Sequence, residues 1–326
     1  MHVAIVNNAV IPAVKYGGIE RVIWWLGKEL VKRGHKVTYL VAAGSKCDFA
    51  DVIHIDKRPF HQQLPEGVDL VHYHADCDYE TKKPYLYTLH GNIYTLNTKF
   101  YINTVALSAD HARRMNATAY VHNGLDFDEY GKPDFKSERK CFHFLGDAAW
   151  KVKNLKGAIK IAKAAHEKIA VLGGNRINTS QGIKINFAKN AKFYGKVGGD
   201  EKNHLLNRSK GLIFPVIWHE PFGLAVIESL YFGCPVFGTP FGSLPELVTK
   251  EVGFLSDSYS ELADAISNVE SYDRKYCYEY VRENFSASKM TDDYLLMYEK
   301  VLNGEKLNAE EPIIRTDFSQ PLQMKQ

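Results

Sequence analysis

Residues 211–238 read Gly211-LIFPVIWHEPFGLAVIESLYFGCPVF-Gly238. An apolar run at 211–216 leads through a polar loop into a helical segment from Phe222 to Phe232, closed by Gly233. A second apolar run follows from Pro235 to Gly238. Short unbroken apolar runs, rather than alternating ones, are what parallel strands covered on both faces require.

The same rhythm extends outward in both directions. Downstream, the 286–303 stretch is a further helix. Upstream, Lys192 to Val197, Ile169 to Leu172 and Cys141 to Leu145 read as strands, with a helix from Leu155 to Lys168. At the start of the sequence, residues 2–6 form an apolar run, and Ile19, Val22, Ile23, Leu26 and Leu30 fall on one helical face. Arg33-Gly34 stops that helix and Lys36 to Ala42 returns as a strand; further strands are expected at 69–74, 85–90, 104–108 and 119–122. Two doubly wound α/β halves follow, facing a central cleft and joined near 130–140. Residues 1–135 and 136–285 are the expected domains, with helix 286–303 packing back on the first and 304–326 a peripheral tail.

The 326 residues suit two such domains. With 41 basic and 38 acidic residues the formal charge is +3, which argues against a nucleic-acid partner. The five cysteines are scattered, with no metal-binding spacing, and read as reduced core thiols. The run at residues 1–6 lacks the features of a signal peptide, and no stretch reaches the ~20 apolar residues of a membrane span. A cytoplasmic protein is expected. Peripheral contact with the inner face of a membrane stays open, as does the oligomeric state.

Pro221 suits the first turn of a helix, so the amides of Phe222, Gly223 and Leu224 are expected to point outward where the helix dipole favours an anion or hydroxyls. Glu220 precedes them and Glu228 lies about two turns along. Two acids so placed can grip two parts of one ligand, such as sugar hydroxyls and a ribose diol. Alone, the pair reads as a helix cap and a solvated position. Gly223 changes the balance, because glycine costs ~1 kcal/mol in a helix interior and close backbone approach is the better reason for it.

Glu220-Pro-Phe-Gly-Leu-x-x-x-Glu228, then Gly233-x-Pro235-Val236 and Leu244-Pro-Glu-Leu-Val248, resembles the signature of retaining family-4 glycosyltransferases with the two-Rossmann B-type (GT-B) fold. Tyr16-Gly17-Gly18-Ile19-Glu20-Arg21, Arg33-Gly34-His35-Lys36-Val37-Thr38, Thr88-Leu89-His90-Gly91 and Val121-His122-Asn123-Gly124-Leu125-Asp126 resemble further segments of that family, in its order. The resemblance implies that Gly17 and Gly18 approach the diphosphate of a nucleotide-sugar donor. His90 would contact the donor sugar, and Lys153 would neutralise the departing diphosphate. The backbone at Lys196 and Val197 would lie against the base, and Glu228 would hold the ribose. Asp147 stands where the family usually has Arg, and Lys151 is a nearby replacement cation.

What the resemblance implies is a metal-independent, retaining hexosyltransferase that needs no cofactor. Its partners would be a nucleotide sugar, a UDP-sugar being the commonest donor, and a saccharide or lipid-linked acceptor. Asp76-Cys77-Asp78 has the form of a metal-holding triplet from another glycosyltransferase fold, but the two-half pattern does not fit that fold. Tyrosines at 79, 85, 87, 94 and 101 could line an acceptor cleft, but most read as core or ordinary surface, since aromatics at strand spacing pack sheets. A non-catalytic nucleotide-sugar-binding subunit stays open, as does an epimerase or phosphorylase of the same architecture. A dinucleotide oxidoreductase is disfavoured, since no G-x-G-x-x-G follows the first strand.

Overall fold

All five residues of strand β1 (His2–Val6) are buried, as the unbroken apolar run requires of a central parallel strand. On one side it pairs with β2 (Lys36–Val41), which pairs with β3 (Asp51–His54). On the other it pairs with β4 (Leu70–Tyr73), followed by β5 (Tyr85–Thr88) and β6 (Thr104–Val105). The six strands run parallel in the order β3-β2-β1-β4-β5-β6. The winding direction reverses between β1 and β4. The computed structural model describes residues 1–326 apart from 14–16, 76–80, 179–183 and 186–187. Tyr16, the Asp76-Cys77-Asp78 triplet and Tyr79 lie outside the described residues.

Helix α1 (Ile19–Lys32) buries Val22, Ile23, Leu26 and Leu30 of the stripe expected from spacing, and Trp25 besides, while Ile19 at its start is exposed. It ends where Gly34 takes a φ of +80° and its N–H bonds Val31 O. Short helix α2 (Ala109–Arg114) is capped by Ser108, whose hydroxyl accepts from His111 N. The stretch 119–122 does not form the expected strand; it contributes one bridge, Ala106 to Tyr120. Strand β3 carries no apolar run. As a half-exposed edge strand it starts and ends in Asp51 and His54, so periodicity does not reveal it.

The second sheet repeats the plan. Its strands are β7 (Cys141–Leu145), β8 (Ile169–Leu172), β11 (Ala191–Phe193), β12 (Ser209–Phe214), β13 (Val236–Gly238) and β14 (Gly253–Leu255), ordered β11-β8-β7-β12-β13-β14 and all parallel. Here the winding reverses between β7 and β12. A small antiparallel pair, β9 (Ile177–Asn178) and β10 (Lys184–Ile185), stands apart. Helices α3 (Leu155–Ala164), α4 (Gly199–Asn207), α5 (Leu224–Tyr231), α6 (Leu244–Leu247), α7 (Tyr259–Ser267) and α8 (Arg274–Asn284) accompany this sheet. Helix α3 packs on α7, and α5 on α8.

These elements divide into two compact units. One is Met1–Asp126 with Phe285–Asp317; the other is Phe127–Asn284 with Phe318–Gln326. Helix α9 (Ala287–Leu302) belongs to the first unit, where it packs on α1 and β5. Residues 304–326 are shared out: Asn308 bonds the backbone of Ile102 and Thr104 and Ile314 is buried in the first unit, while 318–326 lie in the second. Among the described residues no helix is long and apolar enough to cross a membrane.

Candidate functional site

In open α/β sheets, ligands gather beyond the carboxyl ends of the strands where the winding reverses. In the second unit that place is the pair of loops following β7 and β12. After Leu145 the chain turns through Asp147, whose carboxylate accepts from Ala149 N at 2.8 Å. A single 3₁₀ turn, Lys151–Lys153, ends at Asn154 in the left-handed region with φ 54°. Asn154 then caps α3, its Oδ1 accepting from Gly157 N at 3.0 Å and its Nδ2 donating to Pro215 O at 2.9 Å. The two loops are joined again where Ile217 N donates to Val152 O at 2.8 Å.

That stitching brings Lys153 and Glu220 together. Lys153 Nζ donates to Glu220 Oε2 at 2.6 Å, and Trp218 Nε1 donates to the same oxygen at 2.7 Å. Glu220 is only 5 % exposed. The ammonium also sits 4.8 Å from the centre of the Trp218 ring and 5.3 Å from that of Phe214, within cation–π range. A charge-assisted bond in so dry a place holds both groups firmly and in fixed direction. Lys151 is exposed at the start of the turn, and Trp150, 45 % exposed, lays its edge on Trp218.

The backbone of Glu220 is fixed from β13's loop. Ser243 N donates to Glu220 O at 2.9 Å, and Gly242, with φ +68°, lies so close that a Cβ there would sit 2.3 Å from Glu220 N. Gly242→Ala is therefore expected to push the Glu220 segment outward and to cost about 3 kcal/mol, from clash plus left-handed strain. Thermal unfolding checks this; an unchanged melting temperature would refute it.

Gly223 is the N-cap of α5, with φ +100°, and the helix begins at Leu224. This corrects the expectation of a helix running from Phe222 with Pro221 in its first turn. A Cβ at Gly223 would meet only ordinary contacts at 3.4 Å or more, so backbone sign rather than close approach demands glycine. Phe222 and Gly223 are buried and Leu224 is half-buried. Glu228 is not on a solvated helix face. It is 2 % exposed; its Oε1 accepts from Tyr130 Oη at 2.6 Å and from Lys202 Nζ at 3.0 Å. Val197 is buried and Lys196 exposed in the loop after β11.

In the first unit, Gly18 caps α1 and Gly17 O accepts from Arg21 Nε at 2.8 Å. His90, half-buried beyond β5, shares a 2.7 Å hydrogen bond through its Nε2 with Nδ1 of His74, which follows β4. His72 lies against His74, 3.9 Å between ring centres, and bonds Tyr298 Oη at 2.7 Å and Thr88 Oγ1 at 2.8 Å. Tyr294 Oη completes the string at Thr88. Burial pushes the His90 pKa down to about 3, and holds His72 and His74 well below the usual range. These rings are neutral at neutral pH. His90 can exchange a hydrogen bond with a ligand but carries no charge to it.

Six parallel strands wound in both directions, twice over, make the GT-B fold of glycosyltransferases. Within it, residues 127–284 match the family model described as "Glycosyl transferases group 1". An uncharacterized 41.2 kDa protein in the cps region of Klebsiella pneumoniae is 22 % identical over 151 residues. That match spans 44 % of this chain and 41 % of the relative. Among solved structures, AviGT4, a glycosyltransferase involved in avilamycin A biosynthesis, superposes with a TM-score of 0.75 at 18 % identity, covering 93 % of this chain and 98 % of that one. Anabaena Alr3699/HepE, in complex with UDP and glucose, gives 0.65 at 14 % identity over 91 % and 99 %.

Several residues around the site carry no sequence signal of their own. Trp218 stands beside Glu220 in the chain, and its aromatic character alone does not announce a bond to that carboxylate. Tyr130, Lys202, His74 and Gly242 reach their partners only through the tertiary fold. His74 alone offered a hint, as the second histidine of His72-x-His74 at the end of a strand.

Proposed function

We propose that this chain is a glycosyltransferase that moves a hexose-type sugar from a nucleotide diphosphate sugar, UDP favoured, to a hydroxyl of a saccharide, glycolipid or small-molecule acceptor. Transfer retains anomeric configuration and uses no resident metal. The observation that carries this reading is the Lys153–Glu220 pair, held at 2.6 Å beyond the strand ends where the second sheet reverses its winding. The match of residues 127–284 supports it, as does the fold shared with glycosyltransferases.

In this reading the leaving diphosphate competes with Glu220 for the Lys153 ammonium. Charge gathers on its oxygens as the glycosidic bond stretches, so the lysine stabilises the transition state more than the bound donor. Glu220, relieved of its counter-ion, orients the sugar through its hydroxyls. Trp218 Nε1 keeps the carboxylate aimed meanwhile. Neutral His90 donates or accepts a hydrogen bond at the sugar without repelling its developing positive character. Lys196, Val197 and the glycines at 17 and 18 supply nucleotide and phosphate contacts.

The test uses UDP-glucose turnover alongside calorimetry with UDP. Lys153→Met is expected to lower kcat/KM by roughly 10- to 150-fold, as loss of a charge-assisted bond of about 1.5–3 kcal/mol implies. Glu220→Gln is expected to reduce kcat by on the order of a hundredfold while UDP affinity changes little. Full turnover in Glu220→Gln would falsify the assigned role.

A further inference from the structure

Residues 318–326, Phe318-Ser-Gln-Pro-Leu322-Gln-Met324-Lys-Gln326, form neither a helix nor a regular strand, yet most of their anchors fall on loops beyond the second sheet, with one more on helix α3, where Lys160 Nζ donates to Gln326 Oε1 at 2.5 Å. Leu322 N donates to Ile217 O at 2.8 Å. Since Ile217 N itself donates to Val152 O, the strap, the 217 loop and the 3₁₀ turn at 151–153 are laced in series, the outer one being 322. Met324 packs on the core of the second unit, and its sulfur accepts from Asn154 Nδ2 at 3.4 Å. Phe318 sets its ring edge-on to His219, 5.3 Å between centres. The far end is pinned on the loop after β14, where Lys325 N donates to Asp257 O at 2.6 Å and Lys325 O accepts from Tyr259 N at 3.0 Å.

Asn154 adjoins Lys153, and Ile217 and His219 bracket Trp218 just before Glu220. We infer that residues 318–326 are a positioning strap for the donor site, fixing the two loops whose meeting creates the Lys153–Glu220 pair. The inference rests on the reading of that pair given above. The loop from Pro215 to Gly223 is otherwise tied at its start through Pro215 O, Val216 O (which accepts from Thr239 Oγ1 at 2.7 Å) and Ile217 N, and at its end through Glu220, Gly242 and Phe222 O, which accepts from Ser243 Oγ. The Ile217–His219 stretch between them gains two of its anchors, at Ile217 O and the His219 ring, from the strap. Nothing in the strap need touch substrate. Its work is to keep a carboxylate and an ammonium in register on segments that are far apart in sequence.

The test removes residues 318–326 and pairs that deletion with Leu322→Pro, which abolishes the N–H to Ile217, and Leu322→Ala, which keeps it. Hydrogen exchange should speed up about tenfold or more at 150–154 and 217–220 in the deletion and in Leu322→Pro, while helices α5, α7 and α8 keep their protection. UDP-glucose turnover should fall by about tenfold or more in the same two proteins, stay within about twofold in Leu322→Ala, and return when a peptide of residues 315–326 is added to the deletion. Unchanged exchange at those loops overturns the strap. So does faster exchange spread evenly through the unit, which marks a general stabilising role. If the intact chain transfers no sugar from UDP-glucose or other nucleotide sugars, the proposed function fails while exchange still decides the strap.

Discussion

Replacing Lys202 by Met is expected to lower the stability of the second unit by about 3–5 kcal/mol, with a fall of about 10 °C in its Tm. Lys202 on α4 and Glu228 on α5 are both nearly excluded from water, and their 3.0 Å pair is completed by the Tyr130 hydroxyl. A buried pair contributes little beyond an apolar replacement of both members, but removing one member strands the other's charge in a poor dielectric. The double variant Lys202→Met, Glu228→Gln should accordingly recover part of the loss. Calorimetric melting checks both. The resemblance assigned Glu228 to a ribose; were that its whole duty, Lys202→Met would leave the melting point alone and alter UDP affinity instead. That outcome would overturn the structural account.

The second large effect is acid lability of the first unit. His72, His74 and His111 are buried there, and burial holds His72 and His74 well below the usual range and His111 at about 3. Each ring is neutral when folded and takes up a proton when unfolded below the ordinary value of 6.5. Unfolding thus gains protons as pH falls. Stability is flat above about pH 7 and declines from about 6.5 downward, until each ring's depressed folded-state pKa is reached. By pH 5.5 each ring opposes folding by about 1 kcal/mol, a few kcal/mol together, and His90, held at about 3, acts in the same direction. A domain stable by about 5–15 kcal/mol feels such a change strongly. In the second unit His143 is similarly shifted, to about 3. Hydrogen exchange of the intact chain between pH 7 and 5 should show β4, β5 and α9 losing protection before β7 and β12. The reverse order, or no pH dependence, would refute the assignment of neutral rings.

The parts legible in the chain were those whose cause is local. β1 is an apolar run and α1 an apolar stripe, and both sit where their patterns put them. Glu220 stood out as an acid in the loop before a helix, and Lys153 only through the family resemblance. Their bond did not, because it depends on β7 and β12 being neighbours, which no stretch of either loop records. Gly223 was noticed for being glycine in an apparent helix, but the reason was a left-handed cap. Lys202 was not singled out, because nothing in the nine residues of α4 marks it as buried. Edge strand β3 and the seat of residues 318–326 escaped for a related reason: their identity lies in what they lean on.

The chain passes between its two units three times, at 126/127, 284/285 and 317/318, which bears on the order in which a nascent polypeptide can mature. Tyr294 and Tyr298 of α9 close the hydrogen-bonded string on His72 and Thr88, so the first sheet emerges from the ribosome long before the groups that satisfy its interior. The second sheet and the helices that accompany it, by contrast, all come from one stretch, 127–284, to which only 318–326 are added later. The unit begun first therefore has all six of its strands made before the second begins, yet must wait, with histidines still unmatched, for a helix encoded on the far side of its neighbour.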